Sequence, residues 1–136
     1  MLQKRIANPK HDLKELWSRV VFNMAVSNTD DHLRNHGFLL TETGWILSPV
    51  FDMNPVPYGD SLALNVNQND NTISVENLLE TALYYDMEID TAHRTVKSIF
   101  NIVKENWENL TTQYGLGRGD IEYMRPAFSL CQNYED

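Results

Sequence analysis

Apolar residues recur at helical spacing in the first third of the chain, directly after Asp12. They lie three or four positions apart and fall on one stripe of a helix. The stripe consists of Leu13, Leu16, Trp17, Val20, Val21 and Met24. Asp12 is followed three residues later by Glu15, a pair that resembles a capping box. The pattern therefore predicts an amphipathic helix over residues 12–27.

Two short apolar runs come next, on either side of a turn that contains a glycine. The runs are Phe38-Leu39-Leu40 and Trp45-Ile46-Leu47, and the turn is residues 41–44. This arrangement predicts a β-hairpin. Residues 48–71 then include Pro49, Pro55 and Pro57. Prolines at that density exclude a long helix or a central strand, so we expect a loop.

The remainder of the chain has the pattern of helices. Ser74 can cap one helix, and Asp90 can cap a longer one. Glycines at 115, 117 and 119 interrupt the pattern, and Asp120 can start a final helix that Pro126 kinks. We expect Trp17, Phe100 and Trp107 to lie in the core, since each falls on an apolar stripe. The predicted fold class is mainly α with one small hairpin.

Composition narrows the class of protein without naming a function. The chain has 136 residues, 42% hydrophobic and 22% charged, which suits one domain over residues 1–136. The net charge of -8 disfavours direct binding of nucleic acid. No stretch approaches the roughly 20 apolar residues that span a membrane, and the first ten residues contain no apolar run. The single cysteine, Cys131, cannot form an internal disulfide. We therefore expect a cytoplasmic protein.

The residues that carry chemistry are concentrated in one loop between the predicted helix and the hairpin. Residues 28–36 read Asn-Thr-Asp-Asp-His-Leu-Arg-Asn-His. Rigid elements on both sides would hold these side chains in place. One more acid, Asp52, follows the hairpin. The loop and Asp52 together form the candidate site.

The spacing of these residues matches the requirements of phosphoryl transfer. Protein kinases place a catalytic Asp five positions before an Asn, and a second Asp that binds Mg²⁺ comes later. Asp30 and Asn35 have that spacing, and Asp52 follows the hairpin as the second Asp should. An ionised carboxylate can accept the proton of a substrate hydroxyl. Amide and carboxylate oxygens suit Mg²⁺.

Residues 28–36 resemble the catalytic loop of the HipA-like kinases. Members of that family typically show Asn- or Ala-Thr-Asp, then a small or acidic residue, His, a basic residue and Asn. The segment Ser48-Pro49-Val50-Phe51-Asp52-Met53 is similar to the family's Pro-x-[Phe/Tyr]-Asp segment, and residues 61–66 resemble the stretch that follows it. The resemblance covers roughly the whole chain and is strongest over residues 22–66.

The resemblance implies a role for each matching residue. Asp30 would be the catalytic base, and Asn35 and Asp52 would be Mg²⁺ ligands. His32 and Arg34 would orient the base or meet the γ-phosphate. The implied fold is the helical C-terminal lobe of a HipA-type kinase, which transfers the γ-phosphate of ATP to a protein serine or threonine.

The resemblance also implies partners. HipA-type kinases are toxins that a small HipB-like helix-turn-helix antitoxin holds inactive, and known members act on proteins of translation such as an aminoacyl-tRNA synthetase. The family's phosphate-binding loop, its strand-borne Lys and its regulatory serine loop have no counterpart in these 136 residues. We therefore expect the ATP-gripping N-lobe to be supplied by another segment or another chain, and this chain alone to be inactive or nearly so.

Several alternatives stay open at the level of sequence. Asp31 could replace Asp30 as the base, although Asp31 is one residue closer to Asn35. The lobe could be a pseudokinase that only docks a partner. A metal-dependent hydrolase could use Asp30, Asp31, His32 and His36. The glycines of residues 115–119 superficially resemble a phosphate-binding loop, but they follow a helix rather than a strand, so a helix end and a linker are expected there.

Overall fold

The computed structural model describes residues 6–31, 33–58 and 72–135, and these residues form a mainly helical domain with one hairpin. The elements in chain order are α1 (Pro9–Ala25), β1 (Phe38–Thr41), β2 (Gly44–Leu47), α2 (Val75–Glu80), α3 (Ile89–Gln113), α4 (Arg118–Met124) and α5 (Ser129–Gln132). Short 3₁₀ turns occupy Leu33–Asn35, Ala82–Tyr85 and Arg125–Phe128. The predicted fold class is confirmed. Among the helices of the described residues, none combines the length and the apolar character needed to cross a membrane.

Helix α1 begins three residues earlier than the sequence pattern predicts. Its N-cap is Asn8, whose side chain accepts a hydrogen bond from the His11 amide at 3.3 Å, and Pro9 occupies the first helical position. Proline suits that position because its fixed φ matches the helix and its missing N–H is not needed. The predicted capping box at Asp12 is therefore wrong. The Asp12 carboxylate instead accepts a hydrogen bond from the Leu47 amide at 3.1 Å.

The carboxyl end of α1 turns the chain sharply into the candidate loop. Ser27 adopts a left-handed conformation with φ of 53°. Its amide donates to the Met24 carbonyl, and the Asn28 amide donates to the Asn23 carbonyl at 2.8 Å. These two bonds form a Schellman motif, which satisfies carbonyls that the helix end leaves without partners. The loop therefore starts from a fixed backbone geometry.

The hairpin has the two strands that the sequence predicts. β1 and β2 are antiparallel, and Phe38 pairs with Leu47 while Thr41 pairs with Gly44. Two buried side chains of α1 hold the hairpin against the helix: the carboxylate of Asp12 accepts from Leu47, and Arg19 Nη2 donates to the Ser48 carbonyl at 2.7 Å. These two bonds attach the end of β2 and the residue directly after it to α1.

The core lies where α1 packs against α3 and α5. Trp17, Phe100 and Trp107 are all buried, as the apolar stripes predict. Trp17 also donates from Nε1 to Thr81 Oγ1 at 3.1 Å, which fixes α1 against the turn after α2. Trp107 stacks on Phe128 with ring centroids 4.2 Å apart. One continuous apolar core therefore joins the N-terminal helix to the C-terminal segment.

The second half of the chain follows the predicted helices with shifted boundaries. Ser74 caps α2 as predicted, since its side chain accepts from the Asn77 amide at 3.1 Å. The predicted cap at Asp90 is wrong, because α3 begins at Ile89 and Asp90 lies in its first turn.

The final helix also starts earlier than predicted, at Arg118 instead of Asp120. Asp120 stabilises that start by accepting a hydrogen bond from the Gly117 amide at 3.0 Å. Pro126 does not kink a continuous helix. The α-helix stops at Met124, and Arg125–Phe128 continues as a 3₁₀ turn before α5. A proline that lacks an N–H and clashes with the preceding turn accounts for the break.

Candidate active site

The candidate loop, residues 28–36, spans the gap between the end of α1 and the start of β1. Its last part is the 3₁₀ turn Leu33–Asn35. Arg34 is exposed in this turn, whereas Asn35 is 8% exposed. The short turn therefore presents a cation to the surface and directs an amide inward.

Asp30 and Asp31 are adjacent in sequence but lie in opposite environments. Asp31 is 5% exposed, and its Oδ1 lies 2.9 Å from His36 Nε2. Asp30 is exposed. Asp30 lies in a turn directly before Asp31, and this local backbone course leaves one carboxylate accessible while the other is used inside the protein. This asymmetry separates the two candidates for a base.

Asn35 lies against the backbone of Asp30. Its Nδ2 is 3.4 Å from the Asp30 carbonyl oxygen, which is a long hydrogen bond. Within the described residues, no donor is bonded to its Oδ1. An amide oriented in this way keeps its carbonyl oxygen available to a ligand.

Asp52 occupies a left-handed backbone position, with φ of 58°, in the segment after the hairpin. Its side chain is exposed, and its Oδ1 accepts a hydrogen bond from Asn54 Nδ2 at 2.8 Å. The Asp52 carbonyl oxygen lies 3.4 Å from Asn28 Nδ2. The same Nδ2 donates to Asn23 Oδ1 at 3.0 Å. The start of the candidate loop and the Asp52 segment are therefore neighbours.

A small, partly open cavity lies beside the loop. Its described lining consists of Arg19, Asn23, Asp31, Asn35, His36, Val50, Phe51 and Met53. Asn35 thus shares a cavity with the residues on either side of Asp52, whereas Asp30 and Asp52 are not among the lining residues. Burial raises the pKa of the Tyr85 hydroxyl, and the negative charge of Asp31 raises it further. The side of the loop that carries Asp31 therefore faces a polar and largely buried environment.

The structure brings some of the predicted site residues together and leaves one undescribed. Asn35 contacts Asp30, and the Asp52 backbone contacts the start of the loop. Arg34 is on the same turn as Asn35, at the surface. His32 lies outside the described residues, as do residues 61–66, which carry part of the resemblance.

The sequence analysis did not identify two polar side chains of α1, Arg19 and Asn23, that line the cavity beside the loop. Arg19 and Asn23 are buried although helix α1 was interpreted through its apolar stripe alone. The signal was present, because Arg19 and Asn23 are four residues apart and lie on one face of the helix. Two polar residues on one face of a helix, beside a loop rich in charged side chains, indicate hydrogen bonds to that loop or to the segments around it.

The side chains present fit Mg²⁺ better than a transition metal. Asn35 offers an amide oxygen and Asp52 offers carboxylate oxygens, which are ligands that Mg²⁺ prefers. Within the described ranges, no group of three or more His, Cys, Asp or Glu side chains could hold a metal by itself. Mg²⁺ commonly relies on one or two protein ligands and completes its shell with phosphates and waters.

The chain is thus a helical domain whose polar loop lies between a helix and a two-stranded hairpin. Comparison with protein families then identifies the family. The HipA-like C-terminal domain matches residues 1–110, most of the chain, so this chain belongs to the HipA-like family. Searches of curated proteins and of solved structures returned no match.

Proposed function

We propose that this chain is the C-terminal catalytic lobe of a HipA-type protein kinase, which transfers the γ-phosphate of ATP to a serine or threonine of a protein. Membership of the HipA-like family supports the class. The particular observation that carries the proposal is the difference between Asp30 and Asp31. An accessible carboxylate sits directly beside a buried one that is bonded to His36.

Asp30 is the proposed catalytic base because it is the member of the pair that a substrate can reach. Its carboxylate would accept the proton of the attacking hydroxyl. Arg34, exposed on the same short loop, would contact the transferred phosphate. His32 is proposed to orient the base, by family resemblance alone. Asp31 is better suited to holding the loop, since its carboxylate already has a buried partner.

Asn35 and Asp52 are the proposed Mg²⁺ ligands. Mg²⁺ supplies charge neutralisation for the phosphates and helps to align them with the attacking oxygen. The amide oxygen of Asn35 binds without adding negative charge, and the Asp52 carboxylate adds one. The hydrogen bond from Asn28 Nδ2 to the Asp52 carbonyl oxygen supports this assignment, because it keeps the two segments adjacent.

The grip on ATP is proposed to come from polypeptide outside these 136 residues, in the same chain or in another. The family relationship also suggests a HipB-like helix-turn-helix antitoxin as a partner and a translation protein, such as an aminoacyl-tRNA synthetase, as the substrate. We propose a cytoplasmic location on the same grounds.

Phosphoryl transfer from radiolabelled ATP tests the proposal. The 136-residue chain is assayed with Mg²⁺ and a generic serine-containing protein, alone and with the ATP-gripping lobe of a HipA-type kinase. We expect almost no transfer by the chain alone, and transfer when the second lobe is present. Asp30→Asn should lower the rate by about 10²–10⁴-fold, the usual contribution of a general base.

Glu42→Gln provides the matched control, because Glu42 is an exposed acid in the hairpin turn. It should retain the rate of the unmodified chain. Transfer by the chain alone would contradict the need for a second lobe. Equal rates for Asp30→Asn and the unmodified chain would remove Asp30 as the base.

A partner-binding lobe without catalysis is the second candidate. The exposed apolar side chains Phe38, Leu39, Leu40 and Trp45 favour it, because a hairpin so exposed suits a docking surface. The same assay separates the two candidates, since a docking module gives no Mg²⁺-dependent transfer with either lobe arrangement. The hydrolase alternative predicts a transition metal that copurifies with the chain, which elemental analysis measures.

A further inference from the structure

We propose that Asn23, Asn28, Asp31 and His36 form a buried polar network that positions Asn35 and Asp52 for a divalent cation. The four residues are positioning residues and would not contact the cation themselves. The inference rests on the proposed function, because it concerns the same two ligands. It goes further by assigning a role to residues on the inner side of the loop.

One half of the network is a hydrogen bond between two residues of the candidate loop. Asp31 and His36 are five residues apart, and their side chains meet at 2.9 Å. Both are largely shielded from solvent. Asn35 lies directly before His36, so the bond to Asp31 restricts where the Asn35 backbone can move. A hydrogen bond in a shielded site resists disruption more than one in water.

The other half connects helix α1 to the Asp52 segment. The Asn28 backbone is held in place because its amide donates a hydrogen bond to the Asn23 carbonyl at 2.8 Å. The Asn28 side chain then bonds to Asn23 Oδ1 at 3.0 Å and approaches the Asp52 carbonyl oxygen at 3.4 Å. Asn23 and Asn28 are each 1% exposed. The carbonyl of a proposed ligand thus contacts a rigid pair on the helix end.

The cavity beside the loop is lined by residues of both halves. Asn23 and His36 both line it, and Asn23 Nδ2 and His36 Nδ1 are buried atoms without a hydrogen-bond partner in the described structure. When His36 Nε2 donates to Asp31, Nδ1 is an acceptor, whereas Asn23 Nδ2 is a donor. The cavity offers about 10 Å³ to a water centre, which is close to the space of one molecule. The donor and the acceptor without partners thus belong to residues that line one cavity with space for about one water molecule.

Residues behind metal ligands commonly alter affinity without touching the metal. Their removal typically costs about 10–100-fold in metal affinity or activity. We therefore expect the network to act through the separation and orientation of Asn35 and Asp52. A purely structural role would change the free energy of unfolding and leave the cation affinity of the folded protein unchanged.

Binding of Mn²⁺, used as a paramagnetic substitute for Mg²⁺, tests the inference on the full 136-residue chain. Electron paramagnetic resonance measures free Mn²⁺ during a titration, and urea unfolding measures stability in parallel. Asn35→Ala and Asp52→Ala define the site, and each should abolish its specific binding. His36→Leu and Asn28→Ala should each weaken Mn²⁺ binding by about tenfold or more.

His36→Gln is the matched control, because its amide nitrogen can replace Nε2 as the donor to Asp31. The Mn²⁺ affinity of this variant should be within about threefold of that of the unmodified chain. Loss of a residue behind a metal ligand usually changes the affinity by more than that. If His36→Leu does not fold, Asn28→Ala provides the deciding measurement.

The outcomes distinguish the proposed metal site from the proposed polar network. Mn²⁺ binding that Asn35→Ala and Asp52→Ala do not affect overturns the metal site of the proposed function, and the network with it. Binding that needs both ligands but is unchanged in folded His36→Leu and Asn28→Ala supports the site and overturns the network alone. Weakened binding with rescue by His36→Gln supports both.

Discussion

The helical core and the candidate loop are held together by different forces. The core encloses large apolar side chains, including Trp17 and Phe100, both fully buried. The loop is held by individual hydrogen bonds such as those of Asp31 and Asn28. Apolar burial has no required direction, whereas each hydrogen bond requires a particular partner at a particular angle. The core therefore sets the stability of the domain, and the loop sets the placement of single atoms.

This difference predicts how the two regions respond to substitution. Loss of a core side chain should lower stability strongly without altering the loop chemistry. Loss of a loop side chain should change stability less but alter local geometry more. The four predictions that follow test this contrast.

Phe100→Ala should have the largest effect on stability. The side chain is fully buried on α3, so its removal leaves a cavity and should lower the free energy of unfolding by about 3–5 kcal/mol. Urea unfolding measures the change. Ile102→Ala is the matched control on the same helix, because Ile102 is 58% exposed. A similar loss for both variants would contradict the assignment of the core.

Asp12→Ala should weaken the attachment of the hairpin to α1. The Leu47 amide would lose a charged acceptor in a buried place, at a cost of about 1.5–3 kcal/mol. Hydrogen exchange at the Leu47 amide should accelerate by more than that of core amides. Asp12→Asn keeps an acceptor oxygen and should retain most of the protection. Unchanged exchange in Asp12→Ala would show that the bond does not hold the hairpin.

Asp30→Ala and Asp31→Ala sharpen the comparison within the loop itself. Asp31→Ala leaves His36 Nε2 without its partner and should cost about 1–3 kcal/mol of stability. Asp30→Ala removes an exposed side chain and should stay within about 0.5 kcal/mol of the unmodified chain. Thermal unfolding of both variants measures the difference. Equal losses would show that the two adjacent acids do not differ in environment.

The smallest effect is expected at an exposed ion pair far from the loop. The hydrogen bond and charge of Arg125 hold the pKa of Glu122 below its ordinary value. A lowered pKa in the folded protein gives stability that is present at neutral pH and disappears as the pH falls through the pKa of the folded state. The melting temperature should therefore fall slightly less on acidification in Glu122→Gln.

Apolar spacing predicted the central part of the core from the sequence but not its C-terminal members Ala127, Phe128 and Cys131. The stripes of α1 and α3 identified Trp17, Phe100 and Trp107, and the paired apolar runs identified the hairpin. Helix starts were predicted less well. Asp12 has the residue type and spacing of a cap, yet its carboxylate is bonded to the distant Leu47 amide. A long-range partner of this kind leaves no local signal in the chain.

The candidate site also has a part that the sequence could predict and a part that it could not. The spacing of Asp30, Asn35 and Asp52 could be recognised in the sequence, and their roles stay predictions. The spacing of Arg19 and Asn23 indicated a polar face on α1. The particular contacts of Asn23 and Asn28 could not be predicted, because they depend on where the Asp52 segment lies relative to the end of α1. Which of two adjacent acids is buried likewise depends on the local turn of the backbone.

The C-terminal segment shows that a family boundary and a folding boundary differ in this protein. The family match ends at residue 110, yet Ala127, Phe128 and Cys131 are buried against the same core. Burial raises the pKa of the Cys131 thiol to about 11, as expected for a side chain inside the domain. A polypeptide cut at residue 110 would expose the faces of Phe100 and Trp107 that Tyr134 and Phe128 cover. The C-terminal helices therefore cover one side of the hydrophobic core. A shortened chain that is meant to fold by itself must include them.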